Sequence, residues 1–319
     1  ILMIMIVLFF NIKLPYYIMA PGGTINITDR VVMDNYSKSS KGSLNMLYVS
    51  EYEGTPASLL MAKLKSYDIE NNKDRQIFNE SVKEINRRNT IMRDNSLDIA
   101  TMVAYTEADK DIKIKSKKNV VIARTKDNGL EVGDIIISAD GKESDDVSDI
   151  RKIINTKNEN DTIKFKVLRN NKEIEVDSKI YLEDNSKVVG VIIITEYDYD
   201  VNPKVDIKFK NSESGASGGL MLTLTIYNAI TDEDIIKDRK IAGTGTISFD
   251  GTVGEIDGIK YKIMGAAKDN VDIVFVPTAN YEEAVMTKNK YKYDLDIVRE
   301  VINKINDSNI DGIILYDLG

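Results

Sequence analysis

Ser217 and Lys260 are the two side chains whose types and settings could do chemistry together. Ser217 lies in Gly215-Ala216-Ser217-Gly218-Gly219, directly before the run Leu220 to Ile230, which carries no charge on any face. Such a run predicts a buried helix with a glycine-rich first turn. Glycine costs a helix roughly 1 kcal/mol relative to alanine, so two at its start imply that another group approaches the backbone closely. The first turn also presents unpaired N–H groups and the positive end of the helix dipole. A serine hydroxyl there stands beside an anion site, which acyl transfer needs for its developing oxyanion. The same placement also suits a plain N-cap.

Asp257-Gly258 predicts a second helix start, with Asp257 as the cap. On a wheel at about 100° per residue, Ile259, Ile263, Met264, Ala266 and Ala267 form an apolar arc. Lys260 falls inside that arc and Lys262 at its edge, while Tyr261, Gly265 and Lys268 fall opposite. Burial and the helix dipole both disfavour an ammonium in this position, which lowers the pKa toward that of a usable base. A lysine that snorkels to solvent beside Asp257 is the other reading.

The 319 residues contain no histidine and no cysteine. That removes a Ser-His-Asp triad, a thiolate nucleophile and any zinc site built on those ligands. Lysine is the remaining base for a serine, and Ser-Lys variants of the triad exist. A net charge of −8 without a dense basic stripe argues against nucleic acid as a partner. No Gly-x-x-x-x-Gly-Lys-Ser/Thr occurs: Gly141-Lys142 is followed by Glu143 and lacks the upstream glycine. No cofactor and no metal is expected.

The two motifs together resemble the proteolytic domain of Lon-type serine peptidases. In that family a serine in a Gly-Pro-Ser-Ala-Gly loop works with a lysine at a Gly-Gly-Leu-Lys helix start. Gly215 to Gly219 matches the first with Ala216 and Gly218 as changes, and Asp257-Gly258-Ile259-Lys260 matches the second with Asp257 and Ile259 as changes. Ala242 to Ile247 is similar to the intervening strand, whose threonine, here Thr244, is implied to hydrogen-bond the lysine. An acidic residue often stands three before the serine, and here that position is Ser214, with Glu213 beside it. The resemblance implies Ser217 as nucleophile, Lys260 as base with Lys262 as the fallback, and the backbone N–H groups of Ser217 and Gly218 as the oxyanion site. It also implies a homo-oligomer, since Lon-type domains commonly form hexamers.

Around this pair the chain divides into four stretches, an α+β multidomain order. Residues 1–20 open with ten apolar residues, interrupted later by Asn11, Lys13 and Pro15, and read as a membrane anchor with Tyr16 and Tyr17 at the interface. Residues 21–110 read as a small α+β adaptor, with a strand over Leu44 to Val49 and helices over Ala57 to Tyr67 and Ile91 to Tyr105. Residues 111–183 carry short strands with turns at Asp140-Gly141 and Asn170-Asn171. Gly129-Leu130-x-x-Gly133-Asp134-x-Ile136 followed by Asp140-Gly141 resembles a PDZ domain of bacterial peptidases, which implies capture of peptide termini at a sheet edge.

Residues 184–319 then form the Lon-like α/β domain. It begins with an apolar strand over Val188 to Thr195 and includes a hairpin about Asp250-Gly251 and a strand over Val271 to Pro277. A closing helix over Leu295 to Ile305 and a final strand over Ile313 to Tyr316 complete it. The order resembles membrane-anchored, PDZ-containing Lon-like serine peptidases of the YlbL type. It implies an ATP-independent serine endopeptidase on a single-pass anchor, with its body outside the cytoplasm, cleaving unfolded or PDZ-recruited protein substrates. The alternative is an inactive PDZ/Lon-like scaffold, with Asp257 keeping Lys260 charged.

Overall fold

The structure is a computed structural model that describes residues 2–34, 41–210, 212–232 and 234–299. In chain order its elements are α1 (Leu2–Asn11), β1 (Tyr16–Asn26), β2 (Val31–Met33), β3 (Ser43–Glu53), α2 (Pro56–Leu64), β4 (Asp68–Asn71) and α3 (Val82–Glu107). There follow β5 (Ile112–Arg124), β6 (Ile135–Ala139), β7 (Lys142–Glu143), α4 (Val147–Asn155), β8 (Thr162–Arg169), β9 (Lys172–Lys179), β10 (Tyr181–Glu183), β11 (Ser186–Val188) and β12 (Val191–Val201). The chain continues through β13 (Val205–Ile207), α5 (Gly219–Ile230), β14 (Lys240–Gly243), β15 (Thr246–Ile247), β16 (Val253–Gly254), α6 (Ile259–Lys268), β17 (Ile273–Val276), α7 (Tyr281–Tyr291) and β18 (Asp296–Arg299).

The sheet that carries the candidate site is assembled from both ends of the chain. Its order is β18-β17-β14-β3-β1-β4. β14, of sequence Lys-Ile-Ala-Gly, is buried over its last three residues and too short to stand alone. It is flanked in parallel by β17 (Ala242 opposite Val274) and by β3 (Ala242 opposite Asn45). Asn45, buried, also sends its side-chain amide to the Ile241 carbonyl at 2.9 Å. The expected separate adaptor over 21–110 is therefore not a unit of its own. Its strands β1 and β3 complete the sheet of the C-terminal domain, because β14 would otherwise bury an unpaired edge.

Helices cover both faces. On one face α3 packs against α5, with Ala100, Ala104, Tyr105, Leu222 and Ile226 in a single apolar cluster. A capping box between Ser81 and Glu84 starts α3, and its C-terminal half is the buried part. On the other face α6 lies on Leu47, Ala242 and Val274 through Ile259, Ile263 and Ala266. Gly265 sits so close to the Gly22-Gly23 backbone of β1 that an added Cβ would stand 2.9 Å from the Gly23 nitrogen.

The second sheet has the order β12-β5-β6-β8-β9, with β7 beside β6. Its core joins Val121, Ile136, Phe165 and Val167 to Ile150 and Ile154 of α4. The turns expected at Asp140-Gly141 and Asn170-Asn171 are present, with φ of +47° and +75°, and +50° and +63°. The apolar strand expected to open the C-terminal domain instead belongs to this sheet: β12 runs antiparallel to β5 from Val191 opposite Arg124 to Val201 opposite Ile112. β12 therefore pairs within this sheet although it follows the boundary drawn at 183/184.

Three further expectations change. The apolar N-terminal helix α1 is ten residues long, about 15 Å at the α-helical rise, and no helix among the described residues is long and apolar enough to cross a membrane. Residues 16–20 are not anchor but strand, with Ile18 and Ala20 buried in β1. Leu295 does not open a helix, since residues 296–299 are β18, paired in parallel with β17; the remainder of that stretch and the strand expected over Ile313 to Tyr316 lie outside the described residues. Helix α7 has no counterpart in the sequence reading.

Because β14 needs β3 on one edge, a fragment beginning at Asp184 is expected to lack a cooperative thermal transition by circular dichroism, whereas one spanning 14–319 unfolds cooperatively. A cooperative transition in the shorter fragment would refute the shared sheet.

Candidate functional site

Ser217 stands at the junction of a braced loop and helix α5. The helix begins where two neighbours press on its backbone. A Cβ on Gly218 would collide with the Met46 sulfur of β3, and one on Gly219 would lie 2.7 Å from the Ile247 nitrogen of β15. The close approach expected from the glycine pair is thus present. The loop before it is held to α3: the Arg93 guanidinium donates to the Glu213 carbonyl at 2.8 Å, Gly215 N–H to the Asn89 carbonyl at 3.0 Å, and Ser96 Oγ to the Ala216 carbonyl at 3.2 Å. Glu213 accepts from Arg30 at 2.5 Å and from the Lys210 N–H at 2.9 Å. Burial works against its charge, but these donors outweigh it and lower its pKa. Glu213 is a brace for the loop, and Ser214 is exposed.

Thr244, fully buried, links the serine loop to α6. It follows β14, and its Oγ1 donates to the Ser217 carbonyl at 3.0 Å. The same carbonyl accepts the Gly245 N–H at 2.8 Å. Thr244 Oγ1 in turn accepts a hydrogen from Lys262 Nζ at 2.8 Å. Lys262 is 3% exposed. Removal from water pulls its pKa down to about 8, opposed only in part by the charge of Asp257. A neutral Lys262 that gives one N–H to Thr244 keeps its lone pair for another proton.

Lys260 stands elsewhere. Its Nζ reaches the Ser66 carbonyl at 3.3 Å, Asp68 Oδ1 at 3.3 Å and the Tyr261 hydroxyl at 3.1 Å, and its side chain is 26% exposed. Burial lowers its pKa, but Tyr261 and Asp68 outweigh this and hold it above the usual lysine value. Lys260 is a charged strut between α6 and the segment before β4.

The wheel placed Lys260 rather than Lys262 on the buried side because it treated Tyr261 and Gly265 as the wet side. Both are buried, Tyr261 with its hydroxyl accepting the Asp68 N–H at 2.6 Å and Gly265 against β1. Helix α6 is enclosed on more than one face, and Lys262 shares the face of Gly265 and Ala266, three and four residues on. That glycine was the available signal. Nor does Asp257 cap the helix: the cap is Gly258 in the left-handed conformation at φ +69°, and Asp257 is exposed.

Comparison with known proteins defines the class. Residues 205–310 match the Lon protease (S16) C-terminal proteolytic domain, and residues 104–180 match the PDZ domain. The chain therefore joins a Lon-type proteolytic domain to a PDZ domain. An archaeal Lon protease of Halobacterium salinarum is 30% identical over 119 residues, covering 36% of this chain and 17% of the relative. A Lon protease of Mycoplasma pneumoniae is 28% identical over 137 residues, covering 39% of this chain and 17% of the relative. The chain thus spans about a sixth of the length of these relatives. The solved PDZ domain of an SdrC-like protein from Listeria monocytogenes is 21% identical and covers 24% of this chain and 86% of its own, with a TM-score of 0.23.

A buried lysine with a depressed pKa loads the native state with a charge it disfavours. Between about pH 8 and the unfolded value near 10.4 the unfolded chain binds more protons, so stability should rise with pH there. Lys262→Met should therefore stabilise the protein at pH 7, by up to about 3 kcal/mol less the lost hydrogen bond. The advantage should shrink above pH 8, while Lys260→Met shows none. Thermal unfolding across pH 6–10 checks this; a Lys262→Met variant less stable than the parent at pH 7 would contradict the burial argument.

Proposed function

We propose that the chain is a serine endopeptidase in which Ser217 is the nucleophile and Lys262, rather than Lys260, is the base. The observation that carries this reading is the chain of contacts from Lys262 Nζ through Thr244 Oγ1 to the Ser217 carbonyl, ending in an amine whose pKa is about 8. Ser217 Oγ attacks the scissile carbonyl carbon and its proton passes to Lys262. The oxyanion sits on the backbone N–H groups of Ser217 and Gly218, because the next two along are engaged: Gly219 N–H with the Ala216 carbonyl and Leu220 N–H with the Gly245 carbonyl. Lys262 then protonates the departing amine. In the second half it takes a proton from water, whose oxygen attacks the acyl-serine carbonyl, and it returns that proton to Ser217 Oγ as the ester bond breaks and the product acid leaves. Thr244 positions the amine and the serine loop together.

The proposed substrates are unfolded proteins or peptides, cleaved without ATP. The resemblance to PDZ-containing Lon-like peptidases and the half-buried, accessible setting of Ser217 support this. A homo-oligomer accords with the Lon-type domain. Helix α1, apolar along nearly its whole length and buried nowhere, supports attachment to a membrane through the N-terminal segment, the body standing outside the cytoplasm as the family resemblance implies. The scaffold alternative rested on the departures at Ala216, Gly218 and above all Asp257; Asp257 is not among the groups that hold Lys260 charged, and at Lys262 it opposes the lowered pKa only in part.

The test is cleavage of casein without nucleotide from pH 6.5 to 9.5. The rate should rise about tenfold per pH unit below 8 and level above it, following the neutral fraction of Lys262. Ser217→Ala and Lys262→Ala should each lose at least about 10³-fold, since such a pair acts as a unit. Lys260→Ala should stay within a few-fold. Activity that survives Lys262→Ala but not Lys260→Ala would reverse the assignment of the base.

A further inference from the structure

The PDZ sheet presents no free edge at β5. A PDZ domain binds by adding an extended peptide as a strand to a sheet edge, with side-chain pockets beside it. Here one edge of β5 pairs with β6, with Val120 opposite Ile135. The other edge is taken along its whole length by β12, antiparallel, from Val191 to Val201. Val191 and Ile193 pack on the core that contains Ile150, Ile153 and Ile154 of α4. Thr195 Oγ1 bonds the buried Asn119 side chain of β5 at 3.1 Å. β12 thus has the pairing and the helix-side packing of a strand added to the edge of β5.

The far half of the same strand rests on the catalytic body. Tyr197, Tyr199 and Val201 pack on the apolar cluster that contains α3 and α5. Asn95 of α3 donates to the Thr195 carbonyl at 3.0 Å, and Tyr199 Oη bonds Asp98 at 3.1 Å. These α3 residues alternate with Asn89, Arg93 and Ser96, which hold the loop at Glu213 to Ala216. One helix thus grips both the strand in the PDZ groove and the loop that presents Ser217.

We propose that β12 is the resident ligand of the PDZ edge, that an extended peptide rich in β-branched apolar residues competes with it for β5, and that its displacement loosens the Ser217 loop through α3. The coupling to catalysis rests on the serine peptidase reading; the occupancy of the edge does not.

The test uses the full chain. The probe is a fluorescein-labelled synthetic peptide with the sequence of residues 188–200, Val-Val-Gly-Val-Ile-Ile-Ile-Thr-Glu-Tyr-Asp-Tyr-Asp. Ile193→Asp removes an apolar anchor of β12 and should bind the probe at least tenfold more tightly than the parent. Lys118→Cys with Glu196→Cys joins residues directly opposite in the register, in a chain with no other cysteine. Oxidised, it should bind at least tenfold more weakly than reduced. Equal binding by its oxidised and reduced forms overturns the proposal, as does failure of every form, opened or reduced, to bind the probe. Coupling is read by amide hydrogen exchange at residues 213–217, which should quicken severalfold in Ile193→Asp and not in the oxidised pair; unchanged exchange overturns the coupling. If exchange responds while no form cleaves casein, the peptidase reading fails and this one stands.

Discussion

The packing around α6 keeps one amine, that of Lys262, away from water. A buried ammonium is costly, and the cost is offset only by deprotonation or by partners. Lys262 has a single hydroxyl, Thr244, against its Nζ and the backbone of β14, β1 and β3 around its helix. That packing is what lowers its pKa to about 8. Its neighbour two residues earlier, Lys260, has a carboxylate, a phenol and a carbonyl within reach and stays charged. The two lysines share a helix and differ in burial and in the partners each one finds.

The same constraint accounts for the chain order. Enclosing α6 requires strands on both sides of β14, and the sheet draws β1 and β3 from before the PDZ domain and β17 and β18 from after it. The PDZ domain is consequently an insertion within the Lon-type body rather than a bead ahead of it. Its entry and exit, β5 and β12, pair side by side, which lets one ribbon leave and return with no edge exposed. Helix α3, lying on α5 and touching that ribbon, ties the inserted domain to the serine loop.

Much of the local structure was legible in the sequence. The glycine pair before Leu220 announced a close approach, and Met46 and Ile247 supply it. The absence of histidine and cysteine removed a Ser-His-Asp triad and a thiolate nucleophile. Alternation over Ile163, Phe165 and Val167, and the turns at Asp140-Gly141 and Asn170-Asn171, marked the PDZ strands. These features follow from side-chain period and backbone preference, which act within a few residues and need no partner from elsewhere in the chain.

What the tertiary structure alone decided was which lysine is buried and which strand lies beside which. A helical wheel shows which residues share a face, but the depth of each face depends on what packs there, and Gly22 and Gly23 come from the other end of the chain. Likewise Val191 to Thr195 reads as an apolar strand whatever sheet it joins, because hydrophobicity carries no information about the edge that will pair with it. Its place on β5 is set by contacts with residues that lie far away in sequence, and those contacts exist only in the folded chain.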